Sequence, residues 1–171
     1  MTKPLNMNLK KRFSRWIRWE ERENAKGIKH PGVYIIAISK TNISGKFRWL
    51  VEKELVSKIK YIGMTNSIKG LKGRLKQFDN TISGKQKSHG GADRVRYRYP
   101  NYKKLVKKLF VAVSPVDVDV KTEKPENLRL MGEILKFEYD CFADFVKKFG
   151  SMPEFNNKKS LKYSSTKGKK R

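Results

Sequence analysis

The chain has 171 residues, of which 37% are apolar, a size and composition typical of one domain with one modest hydrophobic core. Lysine and arginine number 41 against 16 acidic residues, which gives a net charge of +25 and a pI near 10.2. An excess of this size predicts a polyanionic partner, nucleic acid first and an anionic membrane surface second.

Several classes of protein are excluded by features that the sequence lacks. No apolar run approaches the roughly 20 residues that cross a bilayer, and the basic amino terminus is not followed by the apolar stretch of a secretory signal. Cys141 is the single cysteine, and with only His30 and His89 there is no zinc site of recognised spacing. We therefore expect a protein of the reducing cytoplasm, or of the nucleus in a eukaryote, and any catalytic metal on oxygen ligands.

Residues 1–28 are predicted to form a basic, aromatic helix. Phe13, Trp16 and Ile17 fall on one helical face, and arginines surround them. The helix either docks on the core or forms an arm on nucleic acid, with arginine on phosphates and tryptophan stacked on bases. The two interpretations are compatible.

Three strands are predicted in chain order. "VYIIAIS" follows the breakers "HPG" and is rich in β-branched residues, "IKYIGM" places Ile59 and Tyr61 on one face and Ile62 on the other, and "LFVAVS" is the third. "FRWLVEKELVSK", between the first two, fits strand and helix equally. We predict an α+β fold with a small three-stranded antiparallel sheet flanked by helices.

A helix is predicted directly after the second strand, in "SIKGLKGRLKQFDNTI". Its apolar stripe consists of Leu71, Leu75, Phe78 and Ile82. Arg74 adjoins this stripe at the edge of the core.

The basic segments on either side of the third strand are predicted to be irregular. Residues 83–101 are predicted to form a loop in which Arg94, Arg96 and Arg98 alternate with tyrosines, a pattern suited to sequence-independent phosphate contacts. The lysine-rich residues 158–171 are predicted to be disordered, which leaves 29–157 as the folded core.

The longest predicted helix, residues 128–149, carries a carboxylate on its apolar side. Glu138 lies on one line with Met131, Leu135, Phe142, Phe145 and Phe149, and Gly150 and Pro153 end the helix. A buried carboxylate needs a cation, hydrogen bonds or a metal to offset its desolvation. A buried salt bridge and a functional site both satisfy this need.

Taken in order, these elements resemble a known family. "GVY" at 32–34, "YIG" at 61–63, an arginine in the next helix and a glutamate on a later helix resemble the GIY-YIG nuclease superfamily over roughly residues 30–157. "GRLKQFDNTISGK" with "GGADR" and a later "FEY" is similar to the catalytic subunit of eukaryotic nucleases that cut branched DNA. "MPEFN" resembles the end of the domain in the bacterial excision-repair nuclease.

This resemblance implies a Mg²⁺-dependent DNA endonuclease, of a structure-specific or a restriction type, acting on double-stranded or branched DNA. Tyr34 and Tyr61 become the two active-site tyrosines and Arg74 the phosphate-binding arginine. Glu138 becomes the single ligand of Mg²⁺, for which Mn²⁺ is a substitute, and Asn156 becomes a supporting side chain.

The sequence departs from the family pattern at one position that matters for catalysis. Phe78 stands where a histidine or tyrosine is common, so either His89 reaches the site from the following loop or a tyrosine accepts the proton unaided. Asp144 is a rival metal ligand to Glu138 by its spacing from Asn156.

The basic residues near Arg74 leave other functions open. Lys69 and Lys72 flank the arginine and are candidate nucleic-acid contacts. The alternatives to a nuclease are a nucleic-acid-binding protein that has the fold without the chemistry, which Phe78 favours, and a protein that binds anionic membranes.

Overall fold

The computed structural model of the protein describes residues 9, 12–51, 53–86 and 89–166. The strands are β1 (Ile17–Arg18), β2 (Gly32–Ile38), β3 (Ile59–Thr65) and β4 (Leu109–Pro115). The α-helices are α1 (Lys53–Val56), α2 (Gly70–Ile82), α3 (Gly90–Arg98), α4 (Tyr102–Val106), α5 (Pro125–Phe149) and α6 (Tyr163–Thr166). Two 3₁₀ helices span Trp19–Asn24 and Glu154–Asn156.

The described residues form one antiparallel sheet of four strands in the order β1-β4-β2-β3. The predicted α+β fold is confirmed, but the prediction of three strands is wrong. The additional strand is β1, where Ile17 pairs with Val111 and Arg18 with Phe110. Two residues are too few to show an alternating pattern, so periodicity could not reveal this strand.

Residues 12–28 do not form the predicted α-helix, and residues 1–8, 10 and 11 of that prediction lie outside the described residues. The segment continues from β1 into the short 3₁₀ helix, and its side chains alternate between the two sides of the sheet. Trp16 and Trp19 are both fully buried, in separate apolar clusters. The interpretation in which these tryptophans stack on nucleic-acid bases is therefore wrong, because their rings are part of the core.

The core has two halves, one on each face of the sheet. Tyr34 and Ile36 of β2 pack against α2, α3 and the first 3₁₀ helix, whereas Val33, Ile35 and Ala37 pack on the side of α5. Every residue of β2 except the last is buried. This strand is therefore central, and residues adjacent in its sequence serve opposite layers.

A bulge in β3 changes which side chains share a face. Tyr61 pairs with Ile36 and Ile59 pairs with Ala37, so Lys60 is the extra residue. As a result Ile59 joins the apolar cluster beside α5, and Tyr61 joins the opposite cluster. The prediction that Ile59 and Tyr61 share a face is wrong, because the bulge interrupts the period of two.

The helix of residues 70–82 agrees with its prediction, and all four residues of its predicted stripe are buried. By contrast, the predicted loop of residues 83–101 contains α3. The side chain of His89 caps α3 by accepting a hydrogen bond from the backbone of Ala92. A histidine is an uncommon cap, so the sequence carried no clear helix-start signal.

Helix α5 begins at Pro125, three residues before its predicted start, and ends as predicted at Phe149, followed by Gly150 with a φ of 76°. Its buried line is Ile134, Phe137, Cys141 and Phe145, whereas Leu135 is exposed. The predicted line through Met131, Leu135 and Phe149 is therefore rotated from the true one. Spacings of three and four fit two neighbouring stripes, and only packing against the sheet selects one.

Part of the predicted disordered tail is folded. The Arg96 guanidinium lies 3.9 Å from the centre of the Tyr163 ring, and Ser164 hydrogen-bonds to Asp93. These contacts hold α6 against α3. Residues 167–171 of the predicted tail lie outside the described residues. None of the described helices has the length and hydropathy needed to span a bilayer.

Candidate active site

Tyr34 and Tyr61, the two tyrosines predicted to belong to the active site, lie side by side on neighbouring strands, with ring centroids 6.0 Å apart. Tyr34 is directly opposite Gly63 in the sheet, and a Cβ at Gly63 would lie 2.6 Å from the Tyr34 hydroxyl oxygen. A Cβ at Gly91 would overlap the Tyr61 ring. Both glycines are required because a tyrosine ring lies over the backbone at that point.

His89 joins the tyrosines from the start of α3. Its Nδ1 accepts a hydrogen bond from the Ala92 amide at 3.2 Å, and its Nε2 is 2.9 Å from the Tyr34 hydroxyl. An amide N–H can only donate to an unprotonated nitrogen, so the ring proton is on Nε2 and is donated to Tyr34. Burial, followed by the positive charges of Arg74 and Arg94, lowers the pKa of His89 to about 3 and keeps the ring neutral.

The donated proton orients the tyrosine pair. Burial is the largest effect on both hydroxyls and raises both pKa values, with Arg74 opposing it in each case. The Tyr34 oxygen accepts from His89, so its own O–H is free to donate to Tyr61. This hydrogen bond raises the pKa of Tyr34 further and lowers the pKa of Tyr61.

Arg74 lies on α2, one turn before Phe78, and its charge acts on every ionisable group of the site. Its Nη1 donates to Gln77 at 2.7 Å, which fixes one side of the guanidinium. Its Nε is buried and has no hydrogen-bond partner among the described residues. A buried donor without a partner is costly unless a ligand accepts from it, and a phosphate oxygen is a suitable acceptor.

Glu138 approaches the same site from the other face of the sheet, around the edge formed by β3. Burial raises the pKa of Glu138 to about 7, against the opposing effects of Arg74 and of a hydrogen bond from the backbone of Met64. Within the described part of the chain, no group of three or more His, Cys, Asp or Glu side chains is placed to hold a metal ion. A single carboxylate still fits Mg²⁺, which retains water and binds one or two carboxylates together with substrate phosphates.

Asn156 supports the site through the backbone of β3. Its amide nitrogen donates to the Ile62 carbonyl at 2.7 Å, and its side-chain oxygen accepts from the Ile62 amide at 2.9 Å. The side chain thus replaces a neighbouring strand at the edge of the sheet, one residue from Tyr61. Asn156 therefore holds the edge of β3 in place.

A polar groove of about 700 Å³ borders the site on the side of α2. Arg74 and Lys69 line it, together with residues that the sequence did not single out: Thr65, Ser67, Gly73, Lys76, Gln77, Asn80 and Gln86. Gln77 lies three residues beyond Arg74, on the same face of α2, so its spacing could have identified it, whereas Lys76 at two residues has no such signal. Lys72 is directed elsewhere, to an ion pair with Glu23 at 3.1 Å.

The three arginines predicted to contact nucleic acid have different positions. Arg94 is buried, and its Nη1 donates to the Phe155 carbonyl at 3.0 Å. Arg96 is stacked on Tyr163. Arg98 is exposed at the end of α3. Since the segment is a helix and not the predicted loop, these alternate residues point in different directions and do not form one continuous surface.

Two residues that left the catalytic assignment open have defined positions in the fold. Phe78 is fully buried, and its ring centroid lies 5.0 Å from that of His89 and 5.8 Å from that of Tyr61. The imidazole predicted to compensate for Phe78 therefore packs directly on it. Asp144, the rival metal ligand, accepts a hydrogen bond at 3.0 Å from Trp49, which packs against the apolar cluster beside α5.

No protein-family model matches this chain, and neither a curated protein nor a solved structure matches it significantly. Its function is therefore inferred from the residues and geometry of the chain itself.

Proposed function

We propose that the protein is a Mg²⁺-dependent DNA endonuclease that hydrolyses phosphodiester bonds at a single-metal site of the GIY-YIG type. The observation that carries this proposal is the meeting of Tyr61, Arg74 and Glu138 at the edge strand β3, beside a basic polar groove. The three side chains come from β3, α2 and α5. Their convergence supports a site and not three separate structural roles.

Arg74 is suited to bind the scissile phosphate. Its guanidinium is anchored by Gln77 and retains a buried, unpaired N–H. Charge-assisted hydrogen bonds to phosphate oxygens neutralise negative charge where it increases in the transition state. Lys69 and Lys76 in the same groove supply further positive charge for the flanking backbone.

Glu138 would hold the metal ion, which when bound supplies Lewis-acid stabilisation of the phosphate and of the leaving oxygen. With a pKa near 7 the carboxyl exchanges its proton close to neutrality, and it must be ionised to act as a ligand.

Tyr61 is the proton acceptor that the hydrogen-bond arrangement favours. The chain from His89 through Tyr34 ends with a proton donated to the Tyr61 oxygen, which stabilises a Tyr61 phenolate. His89 itself cannot accept a proton at Nε2, because Nδ1 is engaged as an acceptor and Nε2 already carries hydrogen. Positive charge from Arg74 also favours the phenolate.

A second function, nucleic-acid binding without cleavage, is favoured by one observation. Burial raises the pKa of Tyr61, and Phe78 fills the position where another base would stand. A protein with these features retains the phosphate-binding groove whether or not a proton acceptor is active.

A cleavage assay on supercoiled plasmid and branched duplex, with Mg²⁺ or Mn²⁺, separates the two functions. We expect the wild type to cut, Glu138→Ala to lose cleavage, and Arg74→Ala to lose about 10²–10³-fold in rate. Arg74→Lys is the matched variant: it keeps the charge but not the planar fork, and we expect it to remain strongly impaired. Binding without cutting under every condition would establish the second function.

The same assay tests the role of Tyr61. Tyr61→Phe removes the acceptor oxygen and should reduce the rate by about 10²–10⁴-fold. His89→Gln keeps an N–H donor for Tyr34 but has no basic nitrogen, so we expect it to remain within about tenfold of the wild type. A loss in His89→Gln, with Tyr61→Phe close to the wild type, would identify His89 as the base instead.

A further inference from the structure

The outer side of α5 carries an apolar strip that no part of the described structure covers. The strip consists of positions 128, 132, 135, 139, 142 and 146. Leu128, Leu135, Tyr139 and Val146 are 51%, 48%, 64% and 37% exposed. Phe142 is partly buried, and its ring packs edge-on against Tyr139. The described residues expose eight large apolar side chains, and four of them, Leu128, Leu135, Tyr139 and Val146, lie on this one helix.

The spacing of the strip is that of a coiled-coil seam. Its positions follow one another at intervals of four, three, four, three and four, the alternation of a and d sites in a heptad. The strip extends over about 27 Å of helix at 1.5 Å per residue. A helix that faces only water on this side has no need of such a pattern.

Gly132 is the second observation that points to a packing partner. It lies in the interior of α5, where glycine costs about 0.5–1 kcal/mol relative to alanine. Apart from its chain neighbours and the backbone of its own helix, no atom of the described residues is within 4 Å of the position that its Cβ would occupy, so no packing contact inside the chain requires a glycine there. The residue leaves a notch in an otherwise continuous apolar strip.

Two copies of the strip match each other when the helices are antiparallel. When two copies of α5 are laid antiparallel with residue 137 at the symmetry axis, Leu135 faces Tyr139 and Leu128 faces Val146. In the same register the notch at Gly132 faces the ring of Phe142. Each of these layers pairs an a site with a d site, as antiparallel coiled coils require, and twofold symmetry forms each layer twice.

We infer that α5 is a homodimer interface in which two copies of the chain pack antiparallel through this strip, with Phe142 of each copy seated at Gly132 of the other. Any strip with these intervals is symmetric about its midpoint, so the spacing alone does not select a second copy. The pairing of the Gly132 notch with the Phe142 ring does, because a membrane or an unrelated apolar partner does not require the two to lie at matching distances from residue 137. This association does not depend on nuclease activity.

The net charge sets the salt dependence of the dimer. Two chains of +25 repel each other, and salt screens the repulsion, so we expect association to strengthen as salt rises. Binding to nucleic acid has the opposite dependence. The two processes are therefore separable in one titration.

Analytical ultracentrifugation of the full chain over a wide range of concentration, at moderate and high salt, tests the interface. We expect a reversible dimer for the wild type and at least about tenfold weaker association for Leu135→Glu. Leu161→Glu is the matched control, the same change at a leucine 58% exposed outside α5, and should dimerise as the wild type does. A wild type that stays a 20.0 kDa monomer throughout, or equal effects of the two variants, overturns the inference.

Two further variants test the register. Gly132→Leu should raise the melting temperature, because leucine favours the helix more than glycine does, but should weaken the dimer, because its side chain fills the notch. Stronger self-association or a gain in vesicle binding would contradict the proposed seating of Phe142 at Gly132. Leu135→Cys and Tyr139→Cys should form a disulfide when mixed but not separately. Cross-linking of either variant with itself contradicts the antiparallel register.

Discussion

Burial sets the protonation state of the side chains that meet at the edge of β3. His89 loses basicity, and its pKa falls to about 3, whereas Glu138 loses acidity, and its pKa rises to about 7. Arg74 opposes the rise at Glu138 and adds to the fall at His89. The site thus contains one fixed hydrogen-bond donor, His89, and one carboxyl, Glu138, whose pKa lies near neutral pH. The surroundings of the two side chains, and not their residue types, determine these properties.

The raised pKa of Glu138 makes stability depend on pH with a defined sign. The folded carboxyl has a pKa of about 7 and the unfolded one about 4.5, so folding takes up a proton between these values. The favourable contribution is complete below pH 4.5 and is lost as pH rises through 7. We expect Glu138→Gln to match the wild type near pH 4 and to be more stable by roughly 1–3 kcal/mol at pH 8, measured by urea unfolding.

Glu133→Gln, on the same helix, is the control. Its free energy of unfolding should change between pH 4 and pH 8 by the same amount as that of the wild type. A loss of stability at pH 8 in Glu138→Gln would mean that an ion pair with Arg74 outweighs the desolvation of the carboxylate.

At the scale of elements, the site depends on an edge strand that is kept in place from outside the sheet. β3 pairs with β2 on one side only, and Asn156 satisfies the backbone of Ile62 on the other. Ile62 separates Tyr61 from Gly63. The 3₁₀ helix that carries Asn156 is therefore the element that fixes the free edge of β3.

Asn156→Ala should destabilise the fold by about 1–2 kcal/mol, because two backbone groups lose their partners. It should also accelerate hydrogen exchange at the Ile62 amide, since that N–H then faces solvent. Asn157→Ala is the matched control at the adjacent, exposed asparagine and should change stability by less than about 0.5 kcal/mol. Unchanged exchange at Ile62 in Asn156→Ala would contradict the supporting role.

At the scale of the whole molecule, the net charge of +25 favours a polyanionic partner but does not select the surface that would bind it. A chain of +25 attracts phosphates over much of its surface. The groove beside Arg74 adds to this a concave shape, hydrogen-bonding amides and two lysines. We therefore expect the affinity to be concentrated at the groove and the general charge to contribute mainly to the rate of association.

Lys69→Glu with Lys76→Glu should weaken DNA binding at least tenfold. The plot of log affinity against log salt should also become shallower, by about one in slope for each phosphate that the variant no longer neutralises. The control is Lys103→Glu with Lys107→Glu, the same change in charge beside Tyr102, outside the groove. Fluorescence anisotropy over a range of salt concentrations measures both. An equally weakened affinity in the two variants would show that binding follows total charge and not the groove.

Sequence alone determined the central elements and the chemically relevant residues on them. The strands of Tyr34 and Tyr61, the helix of Arg74 with its buried stripe, and the carboxyl end of α5 all follow from local patterns of apolar residues and from breakers such as Gly150. These features are local, since they depend on side-chain period and on backbone preference within a few residues.

The tertiary structure decided what depends on contacts between distant segments. The fourth strand is two residues paired with β4, the face of Ile59 is set by a bulge against β2, and the buried line of α5 is selected by the sheet. Arg94 in the predicted loop is buried because α3 turns it toward Phe155. No period in one segment contains this information, because the partner that selects the alternative lies elsewhere in the chain.

His89 shows the same division within a single residue. The sequence placed it among the candidates for catalysis, because imidazole is the usual proton acceptor near neutral pH. Only the fold brings the Ala92 amide to one ring nitrogen and Tyr34 to the other, which fixes the position of the proton. The sequence specifies the identity of a side chain, but its protonation and orientation depend on its burial and on the hydrogen-bond partners that the fold brings next to it.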